Sequence, residues 1–277
     1  MFEMINLHPS KEFRVPVTAE CISPDVFQGK SCQEIEKLEI WEGNKQKRLR
    51  ELFKIEDTRK EKHEKEVSIT ILGNAGKIRR IGAHMKNGAI IIHGNVGTHL
   101  ATEMKGGTIT VKGDAGGWAG SMMKGGMIEI HGNAGDYLGA SYRGSDQGMS
   151  GGTMIVHGNA GNEAGAYMRN GLIKILGNVG QFAGSRMRKG TIFVGKTCRG
   201  RVGACMKNGK IIIAGSLESV LPTFTIDSIK NKVKIGDKDV VEGAFYRFLG
   251  DINENGEGKL YVSKEKNPQL AYYEKFL

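Results

Sequence analysis

The sequence predicts an all-β protein: a right-handed parallel β-helix of about seven coils, with mixed segments before and after it. Three observations carry this reading. A glycine-rich unit recurs at a nearly constant period, each unit holds a short apolar alternation of period two, and a methionine occupies one fixed position in every unit.

The repeat is G-x-x-M-x-x-G-x-I-x-V-x-G, seen as GAHMKNGAIIIHG at 82–94 and again at 101–113, 120–132, 146–158, 165–177, 184–195 and 203–215. Closing glycines fall at 94, 113, 132, 158, 177, 195 and 215 after Gly73, so the spacings are 21, 19, 19, 26, 19, 18 and 20. Residues 73–215 hold 34 of the 41 glycines, and their 18 Lys and Arg against 6 Asp and Glu give a balance of +12, which the slightly acidic flanks reduce to the chain's net +10. A period near 19 is too short for helical pairs or propeller blades. Two units depart from the pattern at the opening glycine, where Ala101 and Asp146 stand.

After the middle glycine the pairs Ile90/Ile92, Ile109/Val111, Ile128/Ile130, Met154/Val156, Ile173/Ile175, Ile192/Val194 and Ile211/Ile213 alternate with other residues. Alternation with β-branched residues describes a short strand with one buried face. A single such strand cannot cover its apolar side, but strands stacked about 4.8 Å apart give one another a continuous core. Handedness follows from the crossover rule. Glycines mark corners with positive φ or close backbone approach. Asn74, Asn95, Asn133, Asn159 and Asn178, with Asp114 substituting, fit one equivalent corner and an amide ladder.

Met85, Met104, Met123, Met149, Met168, Met187 and Met206 form the methionine column, read as pliable filling of the interior rather than a sulfur track for a soft metal. The next residue is basic in six of seven units: Lys86, Lys105, Lys124, Arg169, Arg188 and Lys207, with Ser150 the exception. Like charges stacked this closely are either solvated or matched. No acid occurs between Glu163 and Glu218, where Arg186, Lys189, Lys196, Arg199, Arg201 and Lys210 add to the same sign. One reading is a solvated face; the other is docking on an acidic surface. Apolar residues at the outward positions Ile91, Ile155, Phe193 and Ile212 favour burial against a partner.

Several motif matches dissolve in the repeat. Gly190–Thr197 fits the phosphate-loop pattern, yet its variable positions are a strand and no helix follows. Ser150 sits in G-x-S-x-G but leads into a strand, not the strand-to-helix turn of a nucleophile elbow. His93, His131 and His157 share one register; only the last two can be neighbours, and without a third carboxylate or cysteine they read as surface histidines. No catalytic, cofactor or metal residue is therefore assigned. The enlarged fourth unit inserts seven residues around Ser141–Met149, which offers Tyr142, Arg143 and Asp146 together. The candidate interface comprises Tyr142, Arg143, Arg169, Arg188, Phe193, Arg199, Arg201 and Lys207.

The flanks are of another kind. Residues 1–66 form an extension with a short helix near Cys32–Leu38 and helical anchoring by Leu49, Leu52 and Phe53. Strand-like Val67–Leu72 enters the 67–215 repeat domain, and 216–277 form a cap or tail over an otherwise unpaired strand edge. No apolar run approaches the ~20 residues of a bilayer span. Four cysteines without a C-x-x-C pair make neither a disulfide framework nor a zinc or iron–sulfur site. The opening MFEMINLHPSKEF lacks a secretory pattern, and the expectation is a cytoplasmic protein.

The repeat, the Tyr142-Arg143-Gly144…Gly148-Met149 insertion, the lead Ile22–Ser31 and the closing Leu221–Phe224 and Gly250-Asp251 resemble the C subunit of formylmethanofuran dehydrogenase over nearly the whole chain. The repeat by itself also resembles the C-terminal domain of the glutamate synthase large subunit; the insertion and flanks separate the two. The resemblance implies a noncatalytic β-helix subunit of an archaeal, methanogenic oxidoreductase complex that converts carbon dioxide and methanofuran to formylmethanofuran. It implies pterin-binding and amidohydrolase-like partner chains, which hold tungsten or molybdenum pterin, iron–sulfur clusters and zinc, and no cofactor in this chain. The alternatives are an independent binding module for an acidic partner or nucleic acid, against which the stripe's lack of interleaved aromatics speaks, and a glutamate-synthase-type accessory domain.

Overall fold

The computed structural model describes residues 4–59, 66–237 and 239–277. Chain order begins β1 (Ile5–Pro9), β2 (Val17–Thr18), α1 (Pro24–Phe27), α2 (Cys32–Glu36), β3 (Glu39–Glu42), β4 (Lys45–Arg48), α3 (Leu49–Leu52) and β5 (Phe53–Asp57). The repeats supply β6 (Ser68–Leu72), β7 (Ile78–Arg79), β8 (Ala89–His93), β9 (Thr108–Val111), β10 (Met127–Ile130), β11 (Thr153–Val156), β12 (Leu172–Ile175), β13 (Thr191–Val194) and β14 (Lys210–Ile213). The chain ends with β15 (Thr225–Lys234), β16 (Val240–Gly250), β17 (Gly258–Ser263) and a 3-10 segment, Pro268–Phe276.

Thirteen strands form one long, largely parallel sheet in the order β15-β16-β17-β14-β13-β12-β11-β10-β9-β8-β6-β1-β5. Register follows the repeat: Ile109 pairs with Ile128, Ile128 with Met154, Met154 with Ile173 and Ile173 with Ile192. Equivalent letters therefore touch in successive rungs, and the alternating apolar residues all fall on the buried face. Each repeat also adds one residue to a second parallel ladder, Ala75–Val96–Ala115–Ala134–Ala160–Val179–Cys198–Leu217. All eight of these residues are buried.

All seven methionines of the column are fully buried in the core. Six of the methyls lie against the middle glycine of the following rung, and that of Met206 lies against Gly258 at the start of β17. At Gly126, with φ +86°, an added Cβ would stand 2.7 Å from Gly107 O and 2.8 Å from Met104 Cε. Side-chain acceptors build the expected ladder at the other corner. Asn133 Oδ1 accepts from the Asn159 backbone N–H (2.9 Å) and Nδ2 (3.1 Å), and Asn159 Oδ1 accepts likewise from Asn178 (2.8 and 2.9 Å). Asp114 fits because its position needs an acceptor: it receives the Asn133 N–H at 2.6 Å.

Ala101 takes the left-handed conformation of its glycine counterparts, with φ 56° against 66° at Gly82. The fourth unit opens elsewhere than the pattern at Asp146 suggested. The Met149 N–H donates to Gly139 O at 2.8 Å, the bond that Met123 makes to Gly120 (3.1 Å), so Gly139 is the opening glycine and the extra residues loop out between Gly139 and Met149.

The flanks extend the same sheet. β1 pairs in parallel with β6, and β17 in parallel with β14. In α2 the Ser31 side chain and Glu34 form a reciprocal capping box. The long β15–β16 hairpin corrects one expectation: Phe193 and Ile212 are buried beneath this chain's own Val233, Ile235 and Phe245. Their outward apolar side chains are explained by an internal partner, and Phe193 leaves the docking surface. Among the described residues no helix is long and apolar enough to cross a membrane.

Candidate functional site

Two rows of side chains run along the outside of the stack. In the first, the expected column of unmatched positive charge is partly neutralised. Lys124 meets Glu103 at 2.8 Å, Lys207 meets Glu254 at 3.5 Å, and both Arg169 (2.8 Å) and Arg188 (3.2 Å) reach Asp146 Oδ2. Asp146 lies in the inserted loop, beside the rung where Ser150 interrupts the basic series. The loop therefore delivers a carboxylate to the place where two stacked guanidinium groups need one. Arg143 and Arg199 stay exposed.

The second row is aromatic and was not legible from the basic stripe. Trp118 stacks on Tyr137 (4.4 Å, 13°) and on His99 (5.3 Å, 29°), and Tyr142 closes edge-on over His99 at 5.6 Å. The Tyr142 hydroxyl stands 3.0 Å from Thr102 Oγ1. Farther along, Arg201 lies over Phe182 (5.1 Å) and Arg186 over Tyr167 (5.3 Å), so the expected lack of aromatics beside the basic groups does not hold. His99, Trp118, Tyr137 and Phe182 have φ between 59° and 65°. That conformation costs a non-glycine residue about 1–2 kcal/mol. It turns each N–H to the next rung: His99 to Gly117 O at 2.9 Å, Trp118 to Asp136 O at 2.9 Å and Tyr137 to Asn162 O at 2.8 Å. The signal was Trp118 and Tyr137 at the 19-residue period, in the connectors rather than the strands.

Rows and loop together frame a hollow of about 300 Å³ lined by Trp118, Tyr137, Tyr142, Arg143, Glu163 and Arg186. Burial and then the nearby Arg80 and Arg79 hold the His99 imidazole below its usual range. A second, wider cleft of about 800 Å³ separates the β12–β14 rungs from the hairpin, with Lys189, Lys210, Lys234 and Lys259 on its walls. Burial first, then Lys234 and Lys259, hold the Lys210 ammonium below the usual lysine range.

The histidine reading also changes. Glu129, two residues before His131 and on the same outward face, brings a carboxylate to His131 and His157. This is the one His/Cys/Asp/Glu group of such closeness among the described residues. Burial pushes the Cys21 thiol up to about 12 and raises that of Cys198. Ser150 is exposed ahead of β11, and Gly190–Thr197 contains strand β13, so neither forms the site its motif describes.

Stacked repeats that hold long rows of side chains at fixed spacing define a repeat protein. The chain is 48% identical over 277 residues to the C subunit of the tungsten-containing formylmethanofuran dehydrogenase 2 of Methanococcus maripaludis, across 98% of this chain and 100% of that protein. It is 42% identical to the C subunit of the molybdenum-containing formylmethanofuran dehydrogenase 1 of Methanosarcina barkeri over 100 residues, 36% of this chain and 33% of that one. A chain in the crystal structure of the formyltransferase/hydrolase complex of Methylorubrum extorquens with methylofuran superposes with a TM-score of 0.81 at 31% identity, over 93% of this chain and 99% of that chain. No protein-family profile matches. The chain belongs to the family of formylmethanofuran dehydrogenase C subunits, whose members are parts of an oxidoreductase complex.

Proposed function

We propose that this chain is the noncatalytic brace of its complex, a right-handed parallel β-helix with its 1–66 and 216–277 segments packed on a 67–215 repeat domain. Two parallel ladders at one repeat period support the winding. In this reading the partners are the pterin-binding and amidohydrolase-like chains. They carry the tungsten or molybdenum pterin, the iron–sulfur clusters and the zinc used to convert carbon dioxide and methanofuran to formylmethanofuran. In this reading the chain works in the cytoplasm, and its surface is committed to those partner chains.

One observation carries the docking role: the half-buried aromatic row with Tyr142 and exposed Arg143 at its edge. Aromatic and arginine side chains are the groups enriched at interface hot spots. Arg199, Arg201 and Lys207 extend the surface along the last rungs, and Arg169 and Arg188, bridged by Asp146, stiffen its middle.

The test is Tyr142→Ala combined with Arg143→Glu, Arg199→Glu and Arg201→Glu in the tagged chain, purified from native extract. Partner chains should be lost while circular dichroism of the isolated chain stays unchanged and its thermal unfolding, lowered by the lost Tyr142 and Arg201 contacts, remains cooperative and above the assay temperature. Retention of every partner chain would overturn the reading. The lysine-lined cleft favours an acidic segment as one of the docked elements, and release of that partner should then steepen with salt.

A further inference from the structure

We propose that Glu129, His131 and His157 form a divalent transition-metal site that clips the rungs of β10 and β11 together on either side of the enlarged repeat. β10 and β11 are parallel and in register, with Ile130 opposite Val156, so the histidines that follow them stand side by side. Their rings stack at 4.9 Å and 15°. Glu129 Oε1 lies 2.8 Å from His157 Nε2, and Glu129 Oε2 lies 3.9 Å from His131 Nε2. One ligand atom from each residue falls within 4.8 Å of the other two. A tetrahedral ion with bonds of about 2.0–2.1 Å holds its ligand atoms about 3.3 Å apart. Small side-chain rotations on a backbone fixed by sheet hydrogen bonds bring the three donors to that spacing.

Two imidazoles and one carboxylate are a borderline donor set, suited to Zn²⁺, Co²⁺ or Ni²⁺ rather than Ca²⁺ or Mg²⁺. The donors are half-exposed, which leaves a fourth position to water or to a group from a neighbouring chain. The ammonium of Lys112, 3.2 Å from His131 Nε2, can only donate, so it holds that nitrogen as the acceptor of the contact. It also opposes a cation and must swing aside. The location is purposeful in physical terms: His131 and His157 are 26 residues apart because the insertion lies between them. A metal bridge would close that longest connection in the repeat series.

The full chain, stripped of metal by chelator and exchanged into metal-free buffer, is titrated with Zn²⁺ against a chromophoric competitor and with Co²⁺ by its d–d absorption. One ion per chain is expected, with affinity about tenfold or more weaker in Glu129→Gln, His131→Ala and His157→Ala. Lys112→Ala, which removes no ligand, should bind more tightly than the unaltered chain. All four positions are on the surface, and unfolding midpoints measured in chelator check that the variants fold. Equal Zn²⁺ binding by the His131→Ala/His157→Ala double variant and the unaltered chain would overturn the site. So would unchanged or weaker binding by Lys112→Ala, a result that remains decisive even if a histidine variant misfolds.

Discussion

Asp146 Oδ2 accepts a hydrogen bond from Arg169 Nη2 at 2.8 Å, and Arg188 Nη2 approaches the same oxygen at 3.2 Å. One carboxylate from the inserted loop thus serves two rungs of the stack. All three side chains are between a third and a half exposed, so each pair contributes only about 0.2–1 kcal/mol. Asp146→Ala should destabilise the chain by about 0.4–2 kcal/mol at low salt, because it removes both pairs and returns two guanidinium groups to mutual repulsion. A double-mutant cycle with Arg169→Ala, followed by urea unfolding, should give a coupling that shrinks as salt rises. A salt-independent coupling would mean that loop packing, not charge, sets the value.

Interior positions should behave differently. Met123 is fully buried, and its methyl packs on Gly152 of the next rung. Met123→Ala should cost about 2–5 kcal/mol, the range for deleting a buried side chain of this size. Gly126→Ala adds atoms instead, at φ +86° and against a carbonyl oxygen, and should cost at least about 2 kcal/mol. Combining it with Met104→Ala removes the methyl contact but not Gly107 O, so the two losses in denaturant midpoint should be less than additive.

Phe193 separates self-packing from docking. It lies under Val233, Ile235 and Phe245, with Lys174 Nζ 5.9 Å from its ring centroid and paired to Asp239 of the hairpin. Phe193→Ala should lower the stability of the isolated chain by about 3 kcal/mol and leave partner affinity unchanged wherever the chain remains folded. Loss of affinity at unchanged stability, read by calorimetry and pull-down on one preparation, would return this residue to the interface.

These cases show where the sequence was informative. The strand register and the methionine column were legible because each depends on a one-dimensional period that stacking converts directly into contacts. Phe193 was misread because its cover comes from Val233 and Phe245, residues outside the repeat, and composition does not say which surface a distant hairpin folds onto. Glu129 was passed over as a ligand because in its own unit it is an ordinary outward residue; it meets His157 only when one rung is laid on the next. The aromatic row lay in connectors, where His99, Trp118 and Tyr137 share a left-handed conformation that side-chain type alone does not announce.

His99 provides the pH test of that row. Its ring is stacked on Trp118, edge-on to Tyr142 and near Arg79 and Arg80. Burial and the two arginines hold its folded-state pKa below the ordinary 6.5. Above 6.5 the imidazole is neutral in folded and unfolded chains alike, and its contribution does not vary. As pH falls from 6.5 toward the lowered folded value, the unfolded chain takes up a proton that the folded chain refuses, and stability declines across that window. His99→Gln should flatten this part of the stability profile. Protonation within the fold should also quench Trp118 fluorescence below pH 6.5 in the unaltered chain only. Unaltered quenching in His99→Gln would assign the titration to another group.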